Sequence, residues 1–245
     1  PVELAIMLEE IGRHFEELGM WVFRTLTYGG YAVMQHGSRE QKETLLPRVA
    51  RGELSFCFGL TEPHAGSDAA SITTRAVRDG EHFVINGQKV FTSGMDLSDY
   101  CLLVTRTTTS DKKQQGITCF LVDTTLPGIE VRKIETLGQR AIKTTQVFYN
   151  DVRVPASAVL GTVDRGWDAV DAYLWYERLC LSAARTGAAS AAFDYALEYA
   201  KTREQFGRPI GKFQAISHKL ADMKVMLDVS RVLVYRYAWL LAQGQ

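Results

Sequence analysis

The sequence predicts a mixed α+β chain of several domains. They are part of an N-terminal helical domain (1–54), a central antiparallel β-barrel (55–160) and the start of a C-terminal four-helix bundle (161–245). Three observations carry this reading. Apolar residues recur at three- and four-residue steps in the first fifty positions. The period falls to two between Phe56 and Tyr149, with turn dipeptides at strand spacing. Helical periodicity returns after Gly166.

In the first segment Leu4, Met7, Ile11, Phe15 and Leu18 form one apolar stripe, the pattern of a helix resting on a core. A second helical stretch ends near His36-Gly37. Ser38 is placed to cap a third, with Pro47 inside it as an expected distortion. In the middle block, Asp79-Gly80 and Asn86-Gly87 read as hairpin turns, because both dipeptides tolerate positive φ. They separate Thr73–Val77, His82–Ile85 and Lys89–Thr92. Tyr100–Thr105, Gly116–Val122, Ile129–Ile134 and Gln146–Tyr149 supply further strands, and Thr107–Gln115 reads as a polar loop. After Gly166 two long helices are expected. One is marked by Trp167, Val170, Leu174, Leu181, Ala184 and Ala188, the other by Ile216, Leu220, Met223, Leu227, Val234, Tyr237 and Leu241. The loop Phe206–Pro209 divides them. Two such helices do not bury their stripes unaided, and four-helix packing is the usual solution. The remaining helices are expected from sequence beyond this stretch, from another subunit, or from both. The start at Pro1, with neither an initiator Met nor a targeting segment, fits a truncated chain better than a processed one.

Composition narrows the function. The chain has 245 residues, with 28 basic and 28 acidic side chains, so no nucleic acid or other polyanion is expected as partner. No apolar run reaches bilayer length. Cys57, Cys101, Cys119 and Cys180 form no C-x-x-C pair and read as buried free thiols of a reducing compartment. No metal site is expected.

The most informative stretch is Phe58-Gly59-Leu60-Thr61-Glu62-Pro63-His64-Ala65-Gly66-Ser67-Asp68. A strand here runs into a loop of small and hydroxyl residues whose backbone N–H groups are free to approach a ligand, as in phosphate cradles. Taken alone, it also reads as an ordinary Pro/Gly-rich turn. There is no G-x-G-x-x-G, which excludes a Rossmann nucleotide site. Phe91-Thr92-Ser93-Gly94, the run Phe148–Leu160 (F-Y-N-D-V-R-V-P-A-S-A-V-L) and Arg203–Gly211 (R-E-Q-F-G-R-P-I-G) follow in order. Together these motifs resemble the acyl-CoA dehydrogenase family from about residue 3 to the end.

The resemblance implies a site for FAD and an acyl-CoA thioester. It places Phe58, Leu60, Thr61, Gly66 and Ser67 along the isoalloxazine and phosphates, with Ser67 also near the CoA moiety. Phe91, Thr92 and Ser93 cover the other side of the ring. Family members often carry Trp at the position of Phe91 and Tyr at that of Phe58; the aromatic packing is kept and a hydrogen bond is put in doubt. His64 stands where a small residue is common. Arg203, Phe206 and Gln214 resemble FAD contacts made across a subunit interface, although Arg203 also reads as a surface cation at a helix end. Trp175, Tyr176 and Arg178 resemble the substrate-pocket segment.

Glu177 falls between Leu174 and Leu181 on the apolar stripe of its helix. Burial there would raise its pKa, which suits a general base. An ion pair with Arg178 or another arginine is the structural alternative. Most of the family take their base from a later Glu outside this chain, and those resembling the isovaleryl type use the position of Glu177. Both assignments stay open.

The implied reaction is α,β-dehydrogenation of an acyl-CoA to a trans-2-enoyl-CoA, with electrons passing to an electron-transferring flavoprotein. A homotetramer built as a dimer of dimers, in the bacterial cytoplasm or mitochondrial matrix, is also implied. An acyl-CoA oxidase or flavin monooxygenase on the same fold is the alternative chemistry, and a flavin-free assembly protein the alternative class.

Overall fold

The computed structural model describes residues 1–244. In chain order the elements are α1 (Val2–His14), α2 (Glu16–Arg24), a π-helical segment (Thr25–Tyr31), α3 (Ala32–His36) and α4 (Arg39–Ala50). Strands β1 (Phe56–Gly59), β2 (Arg75–Asp79), β3 (His82–Lys89), β4 (Tyr100–Arg106), β5 (Ile117–Asp123), β6 (Ile129–Lys133), β7 (Thr145–Pro155) and β8 (Val159–Leu160) follow. The chain then forms α5 (Gly166–Thr202), the short strands β9 (Glu204–Gln205) and β10 (Arg208–Pro209), and α6 (Gln214–Ala242). Residues Arg24–Trp175 make one compact unit; Pro1–Phe23 and the chain from Tyr176 onward make the other.

The first of these units is built on an eight-stranded sheet of order β6-β7-β3-β2-β4-β5-β8, with β1 added beside β4. Most pairings are antiparallel, but β1 and β2 both run parallel to β4, so the sheet is mixed. The expected closed barrel is not what the strands form. Among the described residues β6 and β8 do not pair with each other. The reason lies in those edges: β8 has only two residues, and β6 is largely exposed. The core beneath the sheet is apolar, with Phe83, Ile85, Phe120, Val147, Tyr149 and Val152 buried.

One local expectation needs correction. Asn86-Gly87 is not a hairpin turn: β3 runs through it, with a register shift against β7 between Ile85 and Gly87. The Asn86 side chain instead bonds Asp151 of β7 in both directions, at 2.9 and 3.0 Å. The extra residue lies on β7, where Asn150 and Asp151 face Asn86 and Asp151 takes a positive φ of 49°; a side chain added at Gly87 would strike Thr74. α4 runs through Pro47 to Ala50 and starts with a full capping box between Ser38 and Gln41.

In the other unit the buried face of α1 is not the stripe read from its large side chains. Met7 is exposed, whereas Ala5, Leu8, Glu9 and Gly12 are buried; the helix ends before extended Phe15, so exposed Phe15 and Leu18 lie beyond it, Leu18 on α2. Close backbone approach decides the face. A Cβ on Gly12 would lie 2.1 Å from the Ala184 carbonyl oxygen of α5, and one on Gly187 would lie 1.9 Å from the Glu9 carbonyl oxygen. Buried Glu9 is matched by α6, where Arg231 donates at 2.6 Å and the Tyr235 hydroxyl at 2.9 Å.

The sheet unit also contains a buried ion pair. Lys89, on β3, has no solvent exposure, and its ammonium donates to Glu62 at 2.8 Å and to the Leu60 carbonyl at 2.9 Å. Glu62 accepts further bonds from the Thr73 and Thr74 amides at 2.7 and 2.9 Å and from the Thr73 hydroxyl at 3.0 Å. Burial alone would raise the Glu62 carboxyl, but the Lys89 charge and these donors outweigh it and bring it down to about 2. Burial brings Lys89 down to about 8, against the pull of Glu62.

Two predictions follow from these contacts. Gly12→Ala and Gly187→Ala each gain helix propensity, about 1 kcal/mol, yet force backbone apart. Each is expected to lose stability on balance, by about 2 kcal/mol, in urea unfolding. A neutral or stabilising effect of both would refute the close-contact account. The second concerns acid. The folded Glu62 carboxyl lies below its ordinary value of 4.5, so its contribution is complete above that pH and lost as pH falls from there toward 2. Lys89 stays protonated throughout this window. The gap in unfolding midpoint between wild type and Glu62→Gln is therefore expected to narrow on acidification, and a constant gap would contradict the pairing.

Candidate functional site

Within the sheet unit, the residues singled out from sequence lie on two segments joined by hydrogen bonds. The first is the end of β1 and the loop after it. Phe58 is half-buried, stacked on Tyr28 with ring centres 4.9 Å apart, and meets Tyr173 edge-on at 5.1 Å. Leu60 is buried. Glu62 and Ala65 exchange backbone hydrogen bonds, each 3.1 Å, so Pro63 and His64 form a tight tip. Gly66 and Ser67 follow on the exposed side, where their amides donate to no protein group among the described residues. Such unused N–H groups are what an anion needs.

The second segment follows β3. The Val90 amide donates to the Thr61 carbonyl at 2.8 Å, which brings the two segments together. Phe91 has φ of 59° and is 63% exposed. A bulky residue in the left-handed region is strained, and such strain persists only where neighbouring bonds fix the backbone. They do so here: the Thr92 amide donates to the Thr145 carbonyl at 3.0 Å, and the Thr145 hydroxyl to the Thr92 carbonyl at 2.6 Å. The Thr92 hydroxyl itself is buried and has no hydrogen-bond partner among the described residues. Ser93 lies 3.2 Å from the Thr144 hydroxyl. The arrangement offers free amides, an outward aromatic face and an unused hydroxyl. These groups can receive a phosphate-bearing ligand with a flat ring.

The remaining candidates are described by their own elements. On α5, Glu177 and Tyr176 are half-buried and Arg178 is exposed. Glu177 shares this half-buried state with Leu174 and Leu181, so the fully buried carboxylate expected from the stripe is not found. The positions of α5 without exposure include Val170 and Ala184 of the stripe as well as Tyr173, Leu179, Cys180 and Ala183. Arg178 acts electrostatically on Tyr237 of α6, whose hydroxyl is raised chiefly by burial. Trp175 keeps 45% of its surface.

Beyond α5, β9 and β10 pair around Phe206 and Gly207, both at positive φ, 53° and 73°. This is the backbone of a tight hairpin turn in which Asn-Gly is the common choice. A phenylalanine that is 93% exposed sits there instead. Its ring lies 6.1 Å from that of Phe213, which caps α6 just before the exposed Gln214. Arg203 is exposed and makes no ion pair among the described residues.

Sequence reasoning missed two parts of this arrangement. The role of Glu62 inside its own motif was not read, nor was Lys89 as its partner, since strand alternation does not show that a lysine points inward. The π-helical turn that carries Tyr28 was also missed; its signal is Gly29, where a Cβ would fall 2.3 Å from the Phe56 ring.

Among the described residues no three His, Cys, Asp or Glu side chains are grouped to hold a metal, and no helix is long and apolar enough to cross a membrane. The sequence matches the acyl-CoA dehydrogenase N-terminal domain over residues 1–53, the middle domain over 57–152 and the C-terminal domain over 164–245. It is 37% identical over 240 residues to 3-(aryl)acrylate reductase of Clostridium sporogenes, covering 98% of this chain and 63% of that protein. The chain therefore spans a little under two thirds of that relative. Its fold is similar to that of butyryl-CoA dehydrogenase from Megasphaera elsdenii, with TM-score 0.93 and 32% identity over 98% of this chain and 63% of the other. A structure of the FAD complex of PigA has TM-score 0.93 and 29% identity, covering all of this chain and 64% of that one. With all three domain descriptions matched in order along one mixed α+β chain, this protein belongs to the acyl-CoA dehydrogenase family of oxidoreductases.

Proposed function

We propose that the protein binds FAD and catalyses α,β-dehydrogenation of an acyl-CoA thioester to the trans-2-enoyl-CoA. The observation that carries this reading is the pair of joined segments in the sheet unit. Strained, outward Phe91 and the partnerless Thr92 hydroxyl stand beside the loop whose Gly66 and Ser67 amides are unused. These residues fit FAD: free amides for phosphate, an aromatic face for a flat ring, and a buried hydroxyl for its polar edge.

In this reading Phe58, Leu60, Thr61, Gly66, Ser67, Phe91, Thr92 and Ser93 hold the cofactor. Arg203, Phe206 and Gln214 complete the site of a neighbouring copy in a homotetramer arranged as a dimer of dimers. The nearly naked Phe206 ring supports that role, since an aromatic side chain held out in a strained turn gains little from its own chain. Bound FAD would supply the acceptor for the substrate's β-hydride. The chain itself orients the thioester through Ser67, Trp175, Tyr176 and Arg178, and Glu177 receives the α-proton. Such a proton is a very weak acid, so excluding water and placing donors at the thioester oxygen are the larger part of the task. Electrons then leave to an electron-transferring flavoprotein. We place the protein in a bacterial cytoplasm or the mitochondrial matrix, and read 1–54, 55–160 and 161–245 as its three domains.

The test is anaerobic addition of acyl-CoAs of several chain lengths to the full-length, FAD-loaded protein. Bleaching of the flavin is expected, and its absence with every thioester would refute dehydrogenation. Rapid peroxide formation in air would instead identify an oxidase. Glu177→Gln is expected to keep FAD and lose bleaching by about a thousandfold in rate, within the span of general-base effects. Near-normal bleaching would move the base to another carboxylate. Phe91→Gly relieves left-handed strain and is expected to leave the apoprotein no less stable while weakening FAD binding about tenfold. Unchanged affinity would remove Phe91 from the cofactor site.

A further inference from the structure

We propose that Lys89 and Glu62 are positioning residues for the flavin, fixing the two backbone segments that hold it, Leu60–Ser67 and Val90–Ser93, against each other. This rests on the cofactor reading above and adds to it a pair that none of the cofactor contacts includes.

The path of Lys89 shows what the pair does. Its stem passes beside Gly59 of β1, where an added Cβ would reach the Lys89 Cγ at 3.6 Å, ordinary van der Waals contact, and would crowd Leu103 at 2.9 Å. The ammonium emerges under the loop and takes the Leu60 carbonyl and the Glu62 carboxylate together. Glu62 also grips the start of β2 through Thr73 and Thr74, and His64 at the loop tip stands 3.5 Å from it. One buried charge pair thus ties the end of β3 to both ends of the loop 60–74. Lys89 lies two positions before strained Phe91, and the Val90 to Thr61 bond falls between them.

Stability alone does not call for this chemistry. A buried ion pair is commonly matched or bettered by apolar residues of equal volume, whereas removing one partner is costly. A methionine would fill the space beside β1 equally well. What it would not do is hold the Leu60 carbonyl and Glu62 in one geometry, and with them the amides that follow.

The double variant Lys89→Met/Glu62→Gln separates the two roles, because it leaves no unpaired charge. In the full-length protein, three quantities are compared with wild type: apoprotein Tm, FAD Kd by flavin fluorescence, and the visible circular dichroism of the FAD-saturated form. The expected result is little change in Tm, a Kd raised about tenfold and an altered visible dichroism. Kd and dichroism indistinguishable from wild type would overturn the proposal while leaving the cofactor reading intact. Failure of the wild type to bind FAD would instead remove that reading. If the double variant does not fold, Glu62→Asp decides: it keeps the charge but shortens its reach, so a raised Kd with altered dichroism supports positioning and unchanged values refute it.

Discussion

A lysine sealed from water organises the sheet unit. Its charge is tolerable in that place only because a carboxylate and a carbonyl meet it, and those groups belong to the loop after β1. The constraint works in both directions. The loop cannot drift without stranding the ammonium, and β3 cannot shift register without withdrawing it. The strained turn at Phe91 depends on this rigidity, since a lone left-handed phenylalanine in a mobile segment would relax. Electrostatics buried in the core are thereby expressed as fixed backbone at the surface.

The second unit is held by a different kind of contact. At Gly12 and Gly187 two helices meet backbone to backbone. Around that contact run polar links: Arg13 to Ser190 and Asp194, and Arg231 and Tyr235 to Glu9. Close dispersion contact needs the absence of side chains, and the surrounding ring of charges fixes which turn of α1 faces which turn of α5.

Much of this was legible in the sequence, and the failures have causes. The helix–sheet–helix order, the Ser38 cap and most strands follow from local periodicity and turn chemistry. The stripe from Leu4 to Leu18 misled because the helix breaks at Phe15 and because glycine, not large Met7, marked the buried face of α1. Asn86-Gly87 misled because it faces a bulge on β7 and does not turn the chain. Closure into a barrel depends on the length and exposure of its edge strands, β6 and β8, which strand periodicity does not measure. Of the candidate site, the segments 58–67 and 91–93 were readable as motifs. The bond between Thr61 and Val90 that joins them, and the pair beneath it, are tertiary facts without a local signature.

The helical unit has a consequence for biosynthesis. Its first helix finds its partners only at the far end of the chain: Arg13 bonds a serine 177 positions later, and Glu9 an arginine 222 positions later. Residues Arg24–Trp175, the compact sheet unit, lie between them and are synthesised before those partners. Until α5 and α6 appear, α1 waits with its glycine face uncovered. The partners of α1 are thus synthesised only after every residue of the sheet unit.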